Sequence, residues 1–370
     1  EWRQRATSVL PLSFFGLALW RAWVNLQFVA PNSTVPFSAA TDHRLFDAVM
    51  LVAFACMIPV AKRLSPLCPR RWAQRLCAVL MGLYSVASAL SLVVPEAVVA
   101  SIPLTVAAAV GATLMVLFWS ELYAGLTPFK VLIGLTGSYA LAPALVFLFD
   151  GLYPAYQVVG TIMLPLLSIG CLRRSLAHVS LGSLRATGRH TVPWRVIVVM
   201  MLYGFAAGLS NVRMSEITGV NSSLTTFLVA GSLWAMLLGL SDRLSFGAVQ
   251  KLPPALMVAS LVLVSLSALM GPLIVGVCLS AAMLLSYFFV DTTLCDISRR
   301  YGISAVWLFS INEFPSMTAE LVGSKAGAEL ASSPLASLPA FQVVLGVALV
   351  IVSTIAAVLL LNRRGLAQHW

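Results

Sequence analysis

Long apolar runs broken by short polar connectors set the pattern of this chain. Twelve of them are near the roughly 20 residues that a helix needs to cross hydrocarbon: 9–29, 45–61, 76–94, 97–120, 131–149, 154–172, 194–212, 223–240, 252–270, 272–292, 303–322 and 339–361. Gly271-Pro272 marks the turn between the ninth and tenth runs. The longest break lies near the middle, where Leu172 to Arg195 carries Arg173, Arg174, Arg185, Arg189 and Arg195 and no acid. Six spans precede this basic connector and six follow it. The pattern predicts a six-helix bundle over 1–172, a basic linker over 173–193 and a second bundle over 194–370.

Composition removes the soluble alternative. The chain is 60% hydrophobic and only 10% charged, against about 25% charged in soluble domains. An all-α, polytopic membrane protein follows, with the lipid bilayer as its first partner. The formal charge of +10 would suggest nucleic acid if it were gathered on one soluble face, but it is dispersed over short loops. Alternating the spans across the membrane puts 19 of the 23 basic residues on one side. By the positive-inside rule that side is cytoplasmic, and both termini lie there. A missed or invented span would move every later loop to the other face. The expected location is the inner (plasma) membrane of a cell, crossed many times.

Candidate chemistry is sparse. No phosphate loop, nucleophile elbow, Cys-x-x-Cys or metal-spaced His/Cys pattern occurs, so neither an enzyme nor a cofactor is expected. Charges within spans are costly and by default point to function. Arg21 lies about 18 Å into the first span, at 1.5 Å per residue, and Asn25 shares its face at i+4. Asn312 and Glu313 lie about 15 Å into the eleventh span, with Glu320 on the same face at i+7 and Pro315 between. An Arg21–Glu313 contact would bridge the two halves. Trp20, Trp23, Tyr139, Tyr203 and Trp234 are candidates for an aromatic pocket around a small apolar or aromatic ligand. Glu121, Asp150, Asp291 and Asp296 fall near span ends, where interfacial roles are expected. Tyr287 and Asp291, at i+4, would anchor the end of the tenth span near Arg299 and Arg300. Gly204-Phe-Ala-Ala-Gly208 fits close helix packing.

Two six-helix halves joined by a cytoplasmic linker resemble the major facilitator superfamily. Met57 to Leu64 aligns with that family's loop between the second and third helices, Gly-x-x-x-Asp-Arg/Lys. Lys62 and Arg63 keep its basic residues, while Met57 and Ala61 replace its glycine and aspartate. That replacement implies a weakened lock between the halves. Asp242-Arg243 repeats part of the motif in the second half, and Gly134, Gly137 and Pro143 remain from a glycine-rich fifth helix. Leu10 to Leu17 with Trp20 and Trp23, Phe118 to Tyr123, and Gly137 to Pro143 are similar to a narrower group. These bacterial proteins join a facilitator-like membrane domain to a LuxR-type helix-turn-helix domain. That likeness implies ligand sensing, with DNA reached only through a domain beyond Trp370. The alternative is a transporter of a small organic molecule or drug, with Glu313 or Glu320 carrying a proton. On either reading the expected cavity residues are Arg21, Asn25, Trp20, Tyr139, Tyr203, Asn312, Glu313 and Glu320.

Overall fold

The computed structural model describes residues 10–29, 43–90, 101–179, 192–218, 222–239 and 272–332. All regular structure there is helical. A 3-10 turn, Leu12–Phe15, leads into α1 (Leu17–Val24), which widens into a π turn at Asn25–Val29. Then come α2 (His43–Leu64), α3 (Arg71–Leu90), α4 (Ser101–Ala124), α5 (Pro128–Asp150) and α6 (Pro154–Leu176). The second half supplies α7 (Trp194–Thr218), α8 (Ser222–Gly239), α9 (Pro272–Tyr301) and α10 (Ala305–Ser332). Six of these are long and apolar enough to cross a membrane. The expected ninth and twelfth spans lie outside the described residues, as do most of the linker and the Asp242-Arg243 motif.

Several boundaries differ from the sequence reading for physical reasons. The sixth helix runs on to Leu176, so Arg173 and Arg174 form its last turn instead of opening the linker. Cations are favourable there, beside the carbonyl end of the helix. The apolar run of the eleventh span ends near Val322, with Gly323 placed to begin a loop, but α10 continues to Ser332. Gly323 and Gly327 pack against Phe205 and Leu209 of α7, so these glycines permit close approach and do not form a turn. A true glycine turn separates α9 from α10. Gly302 has φ of 63°, and Ile303 donates its N–H back to the Ser298 carbonyl at 3.2 Å, which stops the first helix cleanly.

Helix α3 shows why the bundle suits a bilayer. Leu76, Val79, Leu83, Val86 and Leu90 form an exposed stripe, whereas Gln74, Ser85 and Ser88 are buried. This polar-inside, apolar-outside order matches a lipid solvent, in which polar side chains must find partners within the protein. Ser88 donates to the Gln27 side chain and Trp23 Nε1 to Ser85 Oγ, at 3.1 and 2.8 Å. The 3-10 entry to α1 is satisfied in the same way. Phe14 and Gly16 give their carbonyls to Tyr123 Oη and Ser168 Oγ, at 2.8 and 2.9 Å.

Helices before the basic connector meet those after it chiefly where α2 lies against α10 and α5 against α8, with α10 also touching α4. Helix α9 also lies against α4 and α5. Within the second half, α7 and α10 share the tightest seam. A Cβ on Gly204 would lie 2.7 Å from the Ser316 carbonyl, one on Gly327 2.9 Å from the Leu209 carbonyl, and one on Gly208 would overlap the Glu320 carbonyl. The neighbouring atoms are backbone and cannot rotate away. Gly208→Val should therefore lower stability by about 3 kcal/mol, while Gly239→Val, where a Cβ meets open space, should cost far less. Equal melting temperatures for the two variants would contradict the seam.

Candidate functional site

Side chains from both halves converge on a polar cluster. Arg21, in the last turn of α1, donates from Nη1 to Tyr139 Oη of α5 at 2.7 Å, and its guanidinium carbon lies 3.8 Å from the centre of that ring. Tyr139 makes an edge contact with Phe288 of α9, at 4.9 Å between ring centres. One turn further along α9, Asp291 sits within electrostatic reach of both Arg21 and Glu313. On α10, Asn312 Nδ2 donates to Glu313 Oε1 at 3.2 Å. Glu320 takes a hydrogen bond from Tyr287 and feels the charge of Asp47 on α2. Arg21, Asp291, Glu313 and Glu320 are all half-buried, whereas Asn312 is fully buried.

The expected Arg21–Glu313 contact is not formed. Among the described residues the guanidinium takes Tyr139, which offers a hydroxyl oxygen and a π face together, and Glu313 is engaged by its neighbour Asn312. Arg21, Tyr139, Asn312, Glu313 and Glu320 thus share one region, linked in part through Asp291 and Tyr287. Trp20 and Tyr203 are buried, and neither Trp20 Nε1 nor Tyr203 Oη has a partner among the described residues. Asn25 is half-buried and begins the π turn. No described contact ties these three to the charged groups.

Of the acids expected near span ends, Asp291 lies well inside its helix, and Glu121, at its helix end, is buried instead of facing water. Asp291 is part of the central cluster, while Asp296, one turn on, pairs with Arg299 and Arg300, at 3.8 and 2.7 Å. The i+4 spacing of Tyr287 and Asp291 is the available signal, since it aligns them towards α10. Glu121, near the end of α4, is 1% exposed. Its carboxylate accepts the backbone N–H groups of Leu67 and Cys68 at 2.7 and 2.6 Å, and Ser65 Oγ at 3.2 Å. It clamps the connector between α2 and α3. Burial, with the Glu121 carboxylate beside it, pushes the Cys68 thiol well above its ordinary range, and this neutral thiol donates to the Phe118 carbonyl at 2.9 Å. Gln74 extends the clamp by donating to the Cys68 carbonyl and accepting from Arg173 Nε, at 2.5 and 2.7 Å. At this same basic end α4 touches α9, where Cys295 Sγ lies 3.9 Å from the Ser120 carbonyl.

No family model matches the chain, and no curated protein matches it by sequence. Its fold does have solved counterparts. A bacterial homologue of the iron transporter ferroportin, in an outward-facing state, superposes with a TM-score of 0.65 at 12% identity, over 95% of this chain and 98% of that one. The human organic anion transporter MFSD10 gives 0.66 at 14% identity, over 97% and 99%. The proton:xylose symporter XylE, a major facilitator protein, gives 0.55 at 13%, over 94% and 93%. Across nearly its whole length, the chain has the fold of the major facilitator transporters.

Proposed function

We propose that this protein is a facilitator-type transporter of a small organic molecule, working from a site between its two halves. The observation that carries this reading is the charged cluster contributed by α1, α5, α9 and α10, within a fold whose solved counterparts transport solutes. On this reading the full chain has twelve spans in two bundles, 1–172 and 194–370, with both ends and the basic connector in the cytoplasm of a cell whose plasma membrane holds it. The meeting of α4 and α9 at the basic end then corresponds to an outward-facing arrangement.

Transport displaces the sensing role suggested by the LuxR-type likeness, because the solved structures that share this fold are transporters. Met57 and Ala61 depart from the family's motif, but Glu121 fastens the same connector from α4. The full chain, reconstituted in proteoliposomes and offered labelled sugars, organic anions and organic cations under an imposed pH gradient, should accumulate at least one class. Binding without accumulation of any solute would return the protein to sensing.

A further inference from the structure

The balance of donors and acceptors in the cluster identifies what it takes. Hydrogen-bond geometry leaves Asn312 with an amide nitrogen spent on Glu313 and an amide oxygen that has no partner among the described residues. Asn312 is 0% exposed, so that oxygen is a buried orphan. Such an acceptor is costly unless something donates to it. It belongs to the same amide that touches Glu313, so it lies beside that carboxylate. The guanidinium of the cluster is already committed to Tyr139 through Nη1 and its face. Asp291, Glu313 and Glu320 set three carboxylates against it. Among the described residues acidic groups outnumber cations three to one in the cluster and the orphan atom is an acceptor, so the partner that fits is a cation with several N–H donors. Tyr139, within electrostatic reach of Glu313, packs edge-on with Phe288 and adds apolar groups to the cluster.

We infer that the transported molecule is a small primary organic ammonium with an aromatic or apolar body, its N–H groups shared between Asn312 Oδ1 and the Glu313 carboxylate. This deepens the transport reading and rests on it. It also adds a positive charge to the apolar or aromatic ligand expected from sequence. A quaternary ammonium has the charge but no N–H, an alcohol has a donor but no charge, and a carboxylate has neither. The site should rank these chemistries.

The test measures binding to the purified full chain in nanodiscs by calorimetry. The probes are 2-phenylethylammonium, its N-trimethyl analogue, 2-phenylethanol and 3-phenylpropanoate. The primary ammonium should bind at least about tenfold more tightly than each of the others, as expected for a charge-assisted hydrogen bond over a neutral one. Asn312→Leu and Glu313→Gln should each remove about tenfold of that affinity and weaken alcohol binding by a smaller factor. Glu313→Asp, which keeps the charge, should retain a preference for the ammonium. Should Glu313→Gln not yield folded protein, the wild-type ranking and Asn312→Leu decide the matter. Equal affinities, a preferred carboxylate or undetectable ammonium binding would overturn the inference. Ammonium binding without uptake would leave the cation site standing and remove the transport reading. Gradient-driven uptake of a sugar or anion, with no ammonium preference, would do the reverse.

Discussion

Glu121→Leu should lower the unfolding free energy by about 4 kcal/mol, because it strands two buried backbone N–H groups, each worth about 1–3 kcal/mol when left unsatisfied. Leu67 and Cys68 have no lipid or solvent to turn to, since both are buried. Both N–H groups meet the same oxygen, Oε2, so Glu121→Gln, which keeps an oxygen there, should cost only about 1 kcal/mol. Thermal unfolding in detergent compares the three proteins, and limited proteolysis between Leu64 and Arg71 reports whether the connector has come loose. If Glu121→Leu melts with the wild type and its connector stays protected, the clamp has no mechanical role. The effect on transport should exceed the effect on stability. A loosened connector also frees the basic end of α3, and with it Gln74 and Arg173.

Arg21→Met should be the most damaging single change within the cluster. It removes the donor to Tyr139 and the cation within electrostatic reach of Asp291, and leaving a charge uncompensated inside the membrane should cost about 3–5 kcal/mol. Tyr139→Phe deletes only the hydroxyl that accepts from Arg21 and keeps the ring, so it should cost about 1.5–3 kcal/mol, the range for hydrogen bonds to charged groups. A double-mutant cycle on Arg21 and Tyr139 should return a coupling of about 2 kcal/mol, because they touch. Adding Asp291→Asn to Arg21→Met should restore part of the stability by withdrawing one carboxylate, without restoring uptake. Strict additivity in the first cycle, or no rescue in the second, would show that Arg21 is held by something other than Tyr139 and Asp291.

Much of this architecture is readable in the residues. The charge asymmetry and the apolar runs give the helices in their order, and Gly204 and Gly208 announce their seam. Arg21, Asn312, Glu313 and Glu320 stand out because a charge or amide within an apolar run needs a reason. What stays hidden is pairing, which depends on rotation about each helix axis and on neighbours far apart in the chain. Nothing local tells Arg21 to choose Tyr139, 118 positions away, over a carboxylate. Glu121 escapes a sequence reading because its place at the span end suggests water, when the connector at Leu67 and Cys68 folds over it. Asp291 escapes for a similar reason, since α9 runs on to Tyr301 and leaves it well inside the helix.

The π turn at Asn25–Val29 divides the first membrane segment into two parts with different facing rules. A π turn closes over one residue more than an α turn, which shifts the angular phase of everything after it by about 100°. Arg21 therefore points toward α5 while Gln27 and Phe28 reach α2 and α3, where Phe28 stacks on Phe46 at 4.0 Å and Ser88 meets Gln27. A single helical wheel drawn through Leu17–Val29 puts these residues in the wrong places. In evolutionary terms the extra residue is a phase adapter. Because of it, the part of the segment after Asn25 can change its packing partners without re-aiming the arginine, and loss of one residue there would set the two parts competing for the same face.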